Sequence, residues 1–300
     1  MPAGALGIAY VVLSALCFSA KAIFAKLAYK HGVDASTVLA LRMLTALPFF
    51  ALAAAHAEMG AQTAMSWGDK ARIAVLGSGG YYLAAYLDFL GLQYITASLE
   101  RLILFLYPTL VVGFRYALYG EHPPLGIGMA LLLSYGGVVV SASQAALWSD
   151  SQHAGLGVLL VFGSAVAYAY YLAGTQPLIA KHGSNRITAH ALLVASLCVL
   201  GEFSWRHGWG GLTQSHEVLL LGACTGIVAT VVPAFALTAG IARIGASRAS
   251  VLGSIGPVST LVLSWWWLDE TIGARDVVGC ALVLLGVAYM GRQTRRATAA

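Results

Sequence analysis

Lys21, Tyr81, Tyr82, Phe105, Tyr107, Tyr168 and Tyr171 all fall inside long apolar runs. A phenol hydroxyl or an ammonium in such a setting needs a partner or a wet cavity. Around Tyr168 the spacing sharpens. Ser164, Tyr168, Tyr171 and Thr175 follow at i, i+4, i+7 and i+11, which is one face of a helix. That face either bonds a neighbouring helix or lines a wall that contacts a small solute. Formal charges lie in the same runs at Lys21, Arg42, Asp88, Glu100 and Arg101. Each costs about 3 kcal/mol or more at the centre of a membrane helix. Ser14, Phe18 and Lys21 share one helical face, and Tyr81 and Asp88 share another. Snorkelling toward water is the alternative to a functional role for Lys21, Glu100 and Arg101, and is open to Asp88 close to its helix end; for Arg42 a structural ion pair or carbonyl contact is favoured over substrate binding. The chemistry on offer is recognition. Lys21 supplies a cation for a carboxylate, and the Tyr hydroxyls and rings supply acceptors and apolar contact.

Catalytic chemistry has no residues to work with. The sequence contains no GxSxG, no HExxH, no P-loop and no dinucleotide fingerprint in a strand–helix setting. Cys17, Cys198, Cys224 and Cys280 are scattered through apolar stretches and form no C-x-x-C pair, so small packing residues are the expected role rather than metal or disulfide chemistry. No catalytic residue, no metal site and no cofactor are expected.

The elements that position these side chains follow from composition. Apolar residues make up 59% of the chain and charged residues 10%, whereas soluble domains carry about 25% charge. A chain so poor in charge faces lipid. Ten runs satisfy the requirement of about 20 apolar residues per span, at 5–27, 35–55, 71–91, 95–118, 124–143, 155–178, 187–203, 217–239, 247–268 and 274–291. The breaks between them carry turn chemistry, as at His31-Gly32-Val33-Asp34, His122-Pro123-Pro124, Trp148-Ser149-Asp150-Ser151 and Lys181-His182-Gly183-Ser184-Asn185. The first run lacks a basic leader, so it is read as a retained membrane helix. With the N-terminus in the cytoplasm, Lys and Arg concentrate in the inside loops and tail, which predicts cytoplasmic termini. Trp67, Trp148, Trp205, Trp209 and Trp265-Trp266-Trp267 read as interfacial anchors. The net charge of +5, without a basic stripe, points to anionic lipid headgroups rather than nucleic acid.

The chain also repeats itself. Gly91, Ala97-Ser98, Pro108, Glu121 and Gly137-Val138 return as Gly240, Ala246-Ser247, Pro257, Glu270 and Gly286-Val287, at a constant offset of 149 residues. Lys30-His31-Gly32 returns as Lys181-His182-Gly183 at an offset of 151. Two five-helix copies, 1–145 and 146–300, are expected. Five is odd, so the second copy enters the membrane in the opposite sense and the two form an inverted repeat. The fold class is an all-α integral membrane protein of ten spans. Pro108 and Pro257 occupy equivalent places and kink their helices; with Gly253 and Gly256 they are candidate hinges or gates.

These landmarks resemble the EamA-type module. The match rests on Ala97-Ser98, Pro108, Gly120-Glu121 and Gly136-Gly137 in one copy, and on Ala246-Ser247, Pro257, Asp269-Glu270, Gly279 and Gly286 in the other. Doubled over ten helices, they resemble the drug/metabolite transporter superfamily. The aromatic Phe105-Leu106-Tyr107-Pro108 is similar to YddG-like amino-acid exporters, although the second copy reads Ile255-Gly256-Pro257. The resemblance implies a secondary carrier in a bacterial inner membrane. Its cavity walls would come from the first, third, fourth, sixth, eighth and ninth helices, its substrates would be amino acids or similar small metabolites, and a monomer would suffice. A lipophilic-cation or drug exporter is an alternative within the class. A membrane receptor without flux is one outside it.

Overall fold

In an apolar medium every backbone N–H and C=O must be satisfied internally, and a single segment achieves this only as a helix. The computed structural model describes residues 3–61, 63–123, 126–148 and 153–299. Among these residues there is no strand. The helices are α1 (Ala3–Lys30), α2 (Ala35–Met59), α3 (Trp67–Leu92), α4 (Ala97–Tyr119), α5 (Ile127–Trp148), α6 (Ala154–His182), α7 (Ser184–His207), α8 (His216–Ile244), α9 (Ala246–Gly253 with Ile255–Leu268) and α10 (Ala274–Ala299). Eight stretches are long and apolar enough to cross a membrane, while the apolar parts of α5 (Ile127–Ser143) and α9 (Ile255–Leu268) are shorter. Pro124 and the junction at 149–152 lie outside the described residues.

Three local features differ from simple apolar runs. First, α7 is longer than 187–203 because ion pairs satisfy its polar ends. Arg186 donates to Glu58 at 2.8 and 2.6 Å, and Arg206 pairs with Glu202 at 2.7 Å. Second, α3 and α8 each contain a π-helical stretch, at Gly77–Tyr82 and Ile227–Val231. Such insertions are rare and concentrate at functional sites. In α8 the wider turn is held by Thr230, whose hydroxyl donates to the Thr225 carbonyl five residues back at 2.8 Å. Third, Pro108 and Pro257 do more than kink their helices. α4 divides into Ala97–Leu104 and Tyr107–Tyr119, and α9 divides at Ser254. Each proline falls in the first turn of the second half, where a missing N–H costs nothing. Both second halves end in a left-handed cap, at Gly120 (φ 69°) and Asp269 (φ 57°).

The two copies pack helix against helix. α1 lies on α8 and α3 on α6, the same pairing with the copies exchanged; α2 lies on α7, and α5 on α10. Glycines set the closest approaches. A Cβ on Gly240 of α8 would lie 3.1 Å from the Gly7 carbonyl, and one on Gly157 of α6 would lie 3.0 Å from the Gly91 carbonyl. Between α5 and α10, Gly137 and Gly279 face each other's carbonyls at 2.6 Å from the would-be Cβ.

Polar contacts group at the two ends of the bundle. At one end His207 meets Asp34 at 3.2 Å and His31 meets Glu217 at 3.6 Å. At the other, Asp69 takes Lys181 at 2.6 Å and His182 at 2.9 Å. Trp67, Trp205, Trp209 and Trp265–Trp267 are exposed, as interfacial anchors must be.

Candidate functional site

The break in α4 is the centre of the site. At Phe105 and Leu106 the ladder tightens, with Leu106 N–H donating to the Ile103 carbonyl at 3.0 Å. This turns the Phe105 and Tyr107 rings toward one another, 6.3 Å apart and nearly perpendicular. Tyr107 meets Tyr168 of α6 edge-to-face at 5.5 Å. Tyr168 stacks on Tyr171 at 6.1 Å, and Tyr81 of α3 closes the group against Tyr171 at 5.4 Å and Tyr168 at 6.3 Å. Gly80 lets α3 approach, since a Cβ there would stand 2.7 Å from the Tyr171 Cβ. Five aromatic residues singled out in the sequence therefore form one continuous cluster. Tyr82 does not join it; its ring pairs with Tyr86 at 6.0 Å, and Arg206 lies over Tyr86.

The stripe of α6 is buried except at Tyr168. Ser164, Tyr171 and Thr175 are buried, and Thr175 satisfies itself on the Tyr171 carbonyl at 2.8 Å. Tyr168 remains part-exposed.

A charged cluster sits on the first half of α4. Lys21 of α1 is buried and does not snorkel. Its ammonium bonds Asp88 of α3 and reaches Glu100 of α4 at 2.8 Å. Asp88 and Glu100 are equally buried. The Asp88 Oδ1 atom has no hydrogen-bond partner among the described residues. Lys21, expected to meet a substrate carboxylate, thus enters the site already shared by two protein carboxylates. The Phe89 ring separates this cluster from a second cation, with Lys21 Nζ 5.8 Å and Arg42 Cζ 5.3 Å from its centroid. Arg42 has a structural contact of a third kind, to a hydroxyl: its Nε donates to Thr230 Oγ1 at 2.8 Å, at the π stretch of α8.

Arg101 points away from Glu100, as adjacent helical residues must, by about 100°. Its guanidinium lies over Phe18 of α1 at 5.7 Å and interacts electrostatically with Glu100, Tyr107, Asp88 and Tyr168. It also crowds Gly256 of α9, where a Cβ would be 2.7 Å from Nη2. The Gly256 carbonyl takes hydroxyls from Ser19 at 3.0 Å and Thr260 at 3.1 Å, which ties α1 to the break in α9. Snorkelling therefore does not describe Lys21, Asp88 or Glu100, which are buried and share one ion cluster; Arg101 is half-buried.

The repeated landmarks meet in a contact that spacing alone does not disclose. Glu270, just past α9, accepts from the Ala97 N–H at 2.9 Å, the Ser98 N–H at 3.4 Å and the Ser98 hydroxyl at 3.2 Å. A carboxylate there satisfies orphan donors and complements the helix dipole at the start of α4. The small residues at 97–98 and the recurring Glu are two sides of one cap between the copies. Two surface hollows lie elsewhere. One of about 530 Å³ borders Trp265 and Asp269–Ile272, and one of about 300 Å³ borders Arg72, Leu118, Tyr119 and Tyr170. Neither reaches the aromatic cluster.

Comparison with known proteins places this architecture. The EamA-like transporter family model matches residues 5–143 and again 155–292. The chain is 27% identical over 304 residues to the uncharacterized transporter YcbK of Bacillus subtilis, covering 97% of this chain and 95% of that one. It is 26% identical over 232 residues to an uncharacterized transporter of Archaeoglobus fulgidus, covering 76% and 80%. A crystal structure of a protein 19% identical superposes with a TM-score of 0.61 over 95% of this chain and 94% of the other, a likeness of fold. The chain is a multi-pass membrane transporter rather than an enzyme, and it belongs to the EamA-like transporter family.

Proposed function

We propose that this transporter exports amino acids, including aromatic ones, and similar small metabolites across the cytoplasmic membrane by alternating access. The observation that carries the reading is the juxtaposition at α4. An aromatic cluster of Tyr81, Phe105, Tyr107, Tyr168 and Tyr171 adjoins a charged cluster of Lys21, Asp88, Glu100 and Arg101. The four charges sum to zero. A zwitterion leaves them neutral, whereas a lipophilic cation adds a net charge at membrane depth, where charge is costly. The rings offer contact to an apolar side chain. Lys21 acts through the two carboxylates, whose charge it holds in place.

Ten spans, two inverted copies divided near 145–146 and cytoplasmic termini complete the proposal. Support comes from the alternation of polar contacts between the two ends, the odd number of helices per copy and the Lys/Arg bias. Discontinuous helices at equivalent places are a recurring way to build a midplane site. Pro108 and Pro257, with Gly253 and Gly256, act as matched hinges for the two facing states.

The test is counterflow of labelled amino acids in liposomes containing the purified protein, with lipophilic cations as the comparison set. Accelerated exchange of amino acids supports the reading. Exchange of cations alone replaces it with a drug exporter, and no flux of either, with retained ligand binding, replaces it with a receptor.

A further inference from the structure

We infer that Arg101 is the anchor for a substrate carboxylate, so that the transported solutes must carry a free carboxylate group. This deepens the reading above and rests on it. Of Lys21, Arg42 and Arg101, only Arg101 makes no hydrogen bond among the described residues. Lys21 has both Asp88 and Glu100, Arg42 has Thr230, and the Arg101 Nε is buried without a partner. Glu100 and Asp88 act on it as nearby charges, but neither accepts a hydrogen bond from it, and Glu100 accepts from Lys21. A guanidinium at membrane depth is costly. The Phe18 face, 5.7 Å away, offsets only part of that cost. The remaining demand is for an acceptor.

The surroundings select the acceptor. A guanidinium presents a planar fork of donors that matches a carboxylate bidentately. Its Nη2 packs against Gly256 at the break in α9, where any side chain would collide with it. Tyr107 and Tyr168 are close enough to interact with it electrostatically, and their rings would receive the rest of the solute. Arg101 thus joins the broken helix of the second copy to the aromatic cluster of the first. A carboxylate held there contacts both copies at their broken helices, which is where alternating access needs the solute to be felt.

The experiment compares acids with their esters. Binding to purified protein in liposomes is measured by competition in counterflow for amino acids, their methyl esters and the corresponding 2-hydroxy acids. Wild type is expected to prefer the acid over the ester. Arg101→Gln should weaken the acid about 10- to 100-fold, the range expected for a charge-assisted pair, and leave the ester within about twofold. Arg101→Lys, which keeps the charge without the fork, should retain a reduced preference and serves if the Gln variant fails to accumulate. Loss of acid and ester in equal measure overturns the inference and leaves amino-acid transport standing. Transport of hydroxy acids but not amino acids overturns the amino-acid reading and leaves Arg101 standing. A wild type that binds esters as well as acids overturns the inference and leaves amino-acid transport standing, and one that binds neither overturns both.

Discussion

Lys21→Met tests the charged cluster most directly. The substitution removes the ammonium and keeps comparable volume, leaving two buried carboxylates facing each other across the gap. At 2.8 Å from Glu100 and an effective dielectric of about 20, the attraction lost is about 6 kcal/mol for that contact alone. Burying the ammonium had offset much of this, so the expected net cost is about 3–5 kcal/mol. Adding Glu100→Gln restores neutrality, because Asp88 then faces only Arg101. The double variant should recover at least about half of the loss. The assay is thermal or denaturant unfolding of the purified protein in detergent, with the single and double variants side by side. A single variant within about 1 kcal/mol of wild type would show that the carboxylates are not held by Lys21. A double variant no more stable than the single would show that volume, and not charge, caused the loss.

Pro108→Ala and Pro257→Ala are expected to bias the carrier toward opposite facing states, read by modification of single reporter cysteines placed at each mouth of the bundle on a background without native Cys; shifts in the same direction, or none, make both prolines static breaks. Gly137→Ala should cost about 1–3 kcal/mol, since the new Cβ falls 2.6 Å from the Gly279 carbonyl. Gly136→Ala next to it meets open space and should be neutral, and equal losses in unfolding would discount the crossing. Glu270→Ala should cost about 1–2 kcal/mol as a lost cap and speed amide exchange at Ala97 and Ser98; unchanged exchange there rules the cap out.

The helices and the duplication were legible because both are local properties of the chain. An apolar run longer than a bilayer is thick has few alternatives, and a landmark that returns at a fixed offset needs no structure to be seen. Tyr168 and Tyr171 were legible as one face because helical spacing is rigid. The ionic cluster was not. Lys21 stands 67 and 79 residues from Asp88 and Glu100, and spacing over such distances does not say which cation takes which anion. Snorkelling was the local solution for each charge, and the tertiary solution displaced it. One signal existed: Asp88 and Glu100 flank the same turn, so two carboxylates near one helical hairpin call for a common cation. The π stretches were hidden for another reason. Gly77, Gly79 and Gly80 read as close packing, which Gly77 against Ala191 and Gly80 against Tyr171 provide, and nothing in their spacing discloses that the same residues also widen the turn. Tyr82 was placed with its neighbour Tyr81, but the two project in different directions, and Tyr82 goes to Tyr86.

The crossing of α5 and α10 has a consequence for how such a chain arises. Gly137 against Gly279 and Gly286 against Ala130 are the same contact made twice, since 130 and 279, like 137 and 286, are related by the repeat. A patch that recognises its own duplicate is isologous, the kind of surface that closes a symmetric pair and stops there. One five-helix unit bearing it can associate with a second molecule of itself, with no fusion required. Joining the two into one chain then relieves each half of serving both roles. The positions equivalent to Lys21, Glu100 and Arg101 in the second copy are Leu172, Ala249 and Ser250. That is a specialisation a homodimer, obliged to carry every charge twice, cannot have.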